Sequence, residues 1–231
     1  MNGTGITHLS FDCYGTLIDW ETGILEQALP LLAKYRVGEV NPITVLRSFV
    51  KHEAALEGQA FRPYREVLSE TFHLIADELG ARVDAQSAAD FAAALGQWPP
   101  FSDSVDALAR LSEHYRLLIL SNVDDDLFEH TSRQLKVPFD AVITAQQVRS
   151  YKPALAHFEA ARERFGLSPS SWVHVAQSLY HDHRPAKQLG LRTIWVDRPS
   201  RLTGTGLAPA ADVKPDIRCP TLERVADLLG A

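Results

Sequence analysis

The chain has 231 residues, 45% hydrophobic and 23% charged, with a formal net charge of −6. That length holds one large domain or a domain with a sizeable insertion, and an acidic balance offers no general foothold to nucleic acid or an anionic membrane. No apolar run reaches the length of a membrane span, residues 1–5 have neither a basic nor an apolar stretch, so no signal peptide is expected there, and two distant cysteines, Cys13 and Cys219, suggest no disulfide framework, so a cytoplasmic setting is expected.

Residues 6–11 are mostly apolar and β-prone, short enough for one buried strand. The run stops at Asp12; Gly15 permits a sharp turn, and the Thr16 hydroxyl can turn back toward the carboxylate. The period then changes to helical. Ile24, Leu25, Ala28, Leu31, Leu32 and Tyr35 mark one apolar face, bent by Pro30. Asn41-Pro42 opens a second helix, a capping side chain followed by proline at the first helical position. A third carries Val67, Leu68, Phe72, Ile75 and Leu79, and Asp84 caps a fourth ending near Gly96. With no strand predicted between about 20 and 97, these helices read as a cap inserted after the first strand.

Trp98-Pro99-Pro100-Phe101 is the return linker. Strands at 117–120, 141–144, 172–176 and 193–196 then alternate with helices at 103–114, 126–135, 154–165 and 185–189. Such alternation predicts a parallel sheet covered on both faces. A loop spans 202–215, Ile217 lies on an edge strand, and Thr221 caps a last helix. The expected fold is α/β: a doubly wound, Rossmann-like core formed by 1–18 and 99–231, with an α-helical cap at 19–98.

Strand ends of a parallel sheet gather at one edge, where ligands bind. Asp12, Ser121-Asn122 and Gln177-Ser178, with Asp182 close behind, occupy such ends, and Lys152 follows the third strand. Each fits a turn or helix cap taken alone. The set Asp12-Cys13-Tyr14-Gly15-Thr16-Leu17, Leu120-Ser121-Asn122, Tyr151-Lys152-Pro153 and a late acidic loop resembles the haloacid dehalogenase superfamily over nearly the whole chain.

Two departures bear on the branch. Tyr14 stands where phosphatases of that pattern have a second Asp as general acid, and a departing halide needs no proton. Gln177 stands where magnesium-dependent relatives have an acidic ligand, which weakens a hard-cation site. The resemblance therefore implies a metal-independent 2-haloacid dehalogenase acting on a small anionic molecule. No cofactor and no metal are implied, and a homodimer is left open as the assembly. Asp12 would be the nucleophile, Lys152 would hold it ionised, and Thr16 and Asn122 would orient nucleophile and substrate. Ser121 and the amides near Tyr14 would receive the substrate carboxylate, and Asp182 would support Lys152 or place the hydrolytic water.

In the cap, Arg47 aligns with a family arginine that receives halide, with Arg62 and Arg65 as rivals. His181 and His183 could share water activation, whereas mid-strand His174 is expected to point away from them, which disfavours a zinc site. Phe158 falls where the better-known dehalogenases have tyrosine, and Trp20, Tyr64 and Trp98 could wall the pocket. A small-molecule phosphatase or phosphonate hydrolase, and a non-catalytic binder, are the other readings.

Overall fold

The computed structural model describes residues 5–35, 38–200, 202–204, 207 and 211–231. Strand β1 (His8–Phe11) is followed by four helices, α1 (Trp20–Lys34), α2 (Pro42–Glu57), α3 (Tyr64–Glu78) and α4 (Ala85–Ala93), the last continuing as a 3₁₀ turn over Ala94–Gln97. Then come α5 (Ser104–Ser112), β2 (Arg116–Ser121), α6 (Asp125–Leu135), β3 (Ala141–Thr144), α7 (Ala145–Val148), α8 (Ala156–Phe165), β4 (Trp172–Ala176), α9 (Arg184–Gln188), β5 (Arg192–Val196), β6 (Ile217–Cys219) and α10 (Leu222–Leu229). The six strands form one sheet, parallel throughout, in the order β3-β2-β1-β4-β5-β6. The direction of winding reverses at β1, so the crevice beyond its carboxyl end is the switch point of a doubly wound sheet. Phe11 pairs in register with Ile119 and Val175, placing Asp12 between the ends of β2 and β4.

Side chains alternate across the sheet because the strand period is two. Leu117 and Ile119 join the larger core with Leu9, Phe11 and Val175, whereas Leu118 and Leu120 join the opposite core with Phe158 and Trp172. The inserted helices start where their caps dictate: Asn41 accepts from the Ile43 amide and Asp84 from that of Ser87. They share the larger core through Leu32, Leu46, Phe49, Leu68, Phe72 and Phe91, with Phe72 and Phe91 stacked at 4.7 Å between centroids. Gly23 is required on α1, since a Cβ there would fall 2.2 Å from the Trp98 ring.

Several local features depart from the sequence expectation. Strand β1 begins at His8 rather than 6, and α8 begins at Ala156 rather than 154. The single turn α7, capped by Thr144, and a π turn over Leu179–His183 were not predicted, because turns this short carry no periodicity. Of the expected loop at 202–215, residues 205–206 and 208–210 lie outside the described residues, as do residues 1–4 of the amino-terminal segment; the rest of the loop holds no helix or strand. Among the described residues no helix is long and apolar enough to cross a membrane.

Candidate active site

The site is built on the turn after β1. Gly15 adopts φ +95°, and a Cβ there would crowd the Trp20 ring at 3.2 Å, so the turn needs glycine. The turn returns Thr16 to the carboxylate, its hydroxyl donating to Asp12 Oδ2 at 2.8 Å while accepting from the Gln177 amide at 2.9 Å. The other oxygen, Oδ1, accepts from Lys152 Nζ at 2.8 Å. That ammonium is fully buried and also donates to Leu120 O at 2.8 Å and Asp182 Oδ1 at 2.6 Å. All three of its protons are thereby engaged.

Behind this triad a buried relay locks Asp182. His174 Nε2 lies 3.1 Å from Asp182 Oδ1, and its Nδ1 lies 2.7 Å from Ser10 Oγ, which accepts from Trp172 Nε1. Asp182 Oδ2 is buried without a hydrogen-bond partner among the described residues, and so is Ser121 Oγ. Such atoms are costly unless something fills the space before them. Both residues line a chamber of about 100 Å³ together with Asp12, Asn122, Lys152, Glu53, Glu57 and Tyr64. An adjoining chamber of similar size is walled by Trp20, Phe49 and Trp98 and shares Tyr14, Glu53, Glu57, Tyr64 and His181 with the first.

Burial raises the Asp12 carboxyl above its usual range; Lys152 and Thr16 oppose this, and the Asp182 charge adds to it. Burial also works on Asp182, but Lys152 and His174 outweigh it and hold that carboxyl low. Burial would strip Lys152 of its proton, yet the two carboxylates keep it charged with a raised pKa. One ammonium thus holds two acids, and Asp182 is the more firmly ionised. His181 is pushed down to about 4 by burial, so its ring is neutral near pH 7.

A sequence model described as haloacid dehalogenase-like hydrolase matches residues 6–190. The chain belongs to that family. As one of the haloacid dehalogenase-like hydrolases it is 26% identical over 205 residues to an (S)-2-haloacid dehalogenase of Pseudomonas sp. (strain YL), covering 84% of this chain and 83% of that one. It is also 27% identical over 209 residues to the human N-acylneuraminate-9-phosphatase, covering 81% of each. In fold it is similar to the L-2-haloacid dehalogenase of Xanthobacter autotrophicus solved with chloropropionic acid covalently bound, at a TM-score of 0.82 and 22% identity over 98% of this chain and 99% of that one.

Within this haloacid dehalogenase-like hydrolase, Asp12, Thr16, Ser121, Lys152 and Asp182 converge as the strand ends predicted. Asn122 lines the chamber too, but its bonds run to Lys152 and Glu57: Oδ1 accepts from the Lys152 amide at 2.7 Å, and Nδ2 donates to Glu57 Oε2 at 3.2 Å. Tyr14 borders both chambers, its hydroxyl 3.0 Å from Thr131 Oγ1.

Arg47 requires correction. It lies on the exposed side of α2, whereas the helix turns Phe49, Val50, Glu53, Ala54 and Glu57 toward the chambers. Arg65 pairs with Asp126 on the surface, and neither it nor Arg62 lines a chamber. The expectation for His174 is also corrected: it turns to Asp182, inside the π turn that holds His181 and His183. His183 contacts Ala176 O and lies outside both chambers, and Phe158 is core packing against Trp172. Trp20, Tyr64 and Trp98 do wall the pocket.

The residues missed were Glu53 and Glu57. Their signal was available: two carboxyls at i and i+4 on the same helical face as Phe49 and Val50. The end of β4 offers the neutral amide of Gln177, Asp182 Oδ1 is held by Lys152 and His174, and among the described residues no three His, Cys, Asp or Glu are grouped to hold a metal.

Proposed function

We propose that this hydrolase cleaves the carbon–halogen bond of a small 2-haloacid. The observation that carries the reading is one carboxylate, Asp12, aimed by Lys152 and Thr16 into a chamber bordered by Tyr14, where the buried Ser121 hydroxyl has no partner among the described residues. The substrate carboxylate accepts from Ser121 Oγ. An oxygen of Asp12 attacks C2, the carbon–halogen electron pair leaves as halide, and an ester to Asp12 forms. Water then adds to the ester carbonyl carbon near Asp182, whose free Oδ2 can accept from it. Asp12 is regenerated and the 2-hydroxy acid departs, with one proton released.

Lys152 and Thr16 fix the line of attack, which removes much of the entropic barrier to a bimolecular displacement. The chamber volume favours a two- or three-carbon acid. The relatives named for haloacids agree with this reading, whereas the relative named as a phosphatase favours release of phosphate instead. Halide release from chloro-, bromo- and fluoroacetate and from 2-halopropionates, with and without chelator, tests the two. Release unaffected by chelator is expected; turnover of phosphate esters that appears only with magnesium would overturn the proposal.

A further inference from the structure

In an in-line displacement the leaving group departs opposite the nucleophile. With Asp12 at the sheet edge, halide leaves toward the inserted helices, where sequence alignment placed Arg47 and the structure places Glu53, Glu57 and Tyr64. Among the described residues lining either chamber Lys152 is the one Lys or Arg, and its three protons are engaged. No cation therefore remains to meet the departing anion. Resting on the haloacid reading above, we propose that Glu53 and Glu57, in their neutral carboxylic acid form, are the hydrogen-bond donors that receive the departing halide.

Both carboxyls line the chamber that holds Asp12 and also the aromatic one beside it. One oxygen of Glu53 accepts from the Tyr64 hydroxyl, which leaves its other oxygen to carry a proton, and Asn122 Nδ2 faces both oxygens of Glu57 at 3.2 and 3.5 Å, so that the more distant one can carry the proton there. Burial favours the protonated form of both carboxyls, against the Tyr64 hydroxyl on Glu53 and against Lys152 and Asn122 on Glu57. Tyr64 faces the pair from α3, Asp12 and Tyr14 from the turn after β1, Tyr151 and Lys152 from the loop before α8, and His181 and Asp182 from the loop after β4. Burial pushes Glu53 up to about 7, and burial plus the neighbouring Glu53 pushes Glu57 well above the ordinary carboxyl range. The proton stays on the carboxyl throughout: halide accepts a hydrogen bond and leaves as the anion, so no further proton transfer enters the reaction.

A neutral O–H donor helps most where the leaving group accepts hydrogen bonds most strongly, which among halides is fluoride. The test compares fluoroacetate and bromoacetate turnover for the wild type, for Glu53→Ala and Glu57→Ala, and for the isosteric Glu53→Gln and Glu57→Gln, which keep a non-titrating donor. The alanine variants should lose at least 10-fold more kcat on fluoroacetate than on bromoacetate, with much of it restored by glutamine. Wild-type fluoroacetate turnover should fall as pH rises through about 7, and Glu53→Gln should keep its turnover there. Equal losses for both halides, an unchanged pH profile in Glu53→Gln, or a wild type active on bromoacetate alone would overturn the donor role and leave the dehalogenase reading standing. A wild type that releases neither halide would overturn both. Because the glutamine variants and the wild-type pH profile need no cavity in the fold, the outcome does not depend on the alanine variants folding.

Discussion

Lys152 is the residue on which the site's charge balance turns, being buried with Asp12 and Asp182 on two of its protons. Replacing it with Met leaves two buried carboxylates without their cation, a change that costs about 3–5 kcal/mol in comparable buried pairs. Lys152→Met should therefore lower stability to urea by that order and abolish measurable halide release; a variant of wild-type stability would show that the triad is not held by charge. The place of Asp12 was legible because a strand end fixes where the next side chain lies, and Lys152 was singled out through the resemblance carried by Tyr151-Lys152-Pro153. The sequence misplaced Arg47 because a helix position converts into a direction only when the phase of the helix on its neighbours is known. Glu53 and Glu57 were overlooked because carboxyls ordinarily face water, and here the apolar face of α2 carries them inward.

At the scale of elements, the inserted helices share the larger apolar core with the sheet and also make a polar contact with a loop at its carboxyl edge. Asp124, in the loop after β2, accepts from the Tyr64 and Arg65 amides at 2.9 Å each, so a residue of the core caps the first turn of α3. Capping by a carboxylate at a helix amino terminus contributes about 1 kcal/mol, and here it also fixes Tyr64 against the chamber. Asp124→Ala should cost about 1–2 kcal/mol in denaturant unfolding and raise KM more than it lowers kcat. An unchanged KM would separate the cap contact from substrate binding. The four inserted helices were readable from their apolar spacing and caps, but Pro63 heads α3 with no local capping side chain. Its partner lies 60 positions away in sequence, where no local pattern reaches.

For the molecule as a whole, the parallel order of the sheet followed from alternating strands and helices, and the crevice followed from where winding reverses. The buried histidines were less legible, since nothing local shows that a ring will be sealed from water. His157 is fully buried behind β2, its Nε2 3.1 Å from Ser121 O, and burial pushes its pKa down to about 3. The unfolded chain takes up that proton near 6.5, so between about 6.5 and 3 the unfolded state binds more protons than the folded one. The neutral ring's full contribution is thus present above pH 6.5 and is lost as pH falls. Asp12, Glu53 and Glu57 act in the opposite sense, their raised pKa values giving the folded state the extra protons. Comparison with His157→Gln isolates the histidine: the stability deficit of the variant at pH 7 should shrink by about 2 kcal/mol by pH 5. A deficit constant with pH would show that His157 is not sealed in the neutral form.

The most direct test of the account is a single turnover in heavy-oxygen water, followed by mass analysis of both protein and product. If Asp12 attacks carbon and water then attacks the ester carbonyl, the first product molecule takes its new oxygen from Asp12, and the label appears in the Asp12 carboxylate. Later turnovers should label the product. Label in the product of the first cycle with none in Asp12 would mean that water attacks the substrate directly, and would contradict Asp12 as the nucleophile.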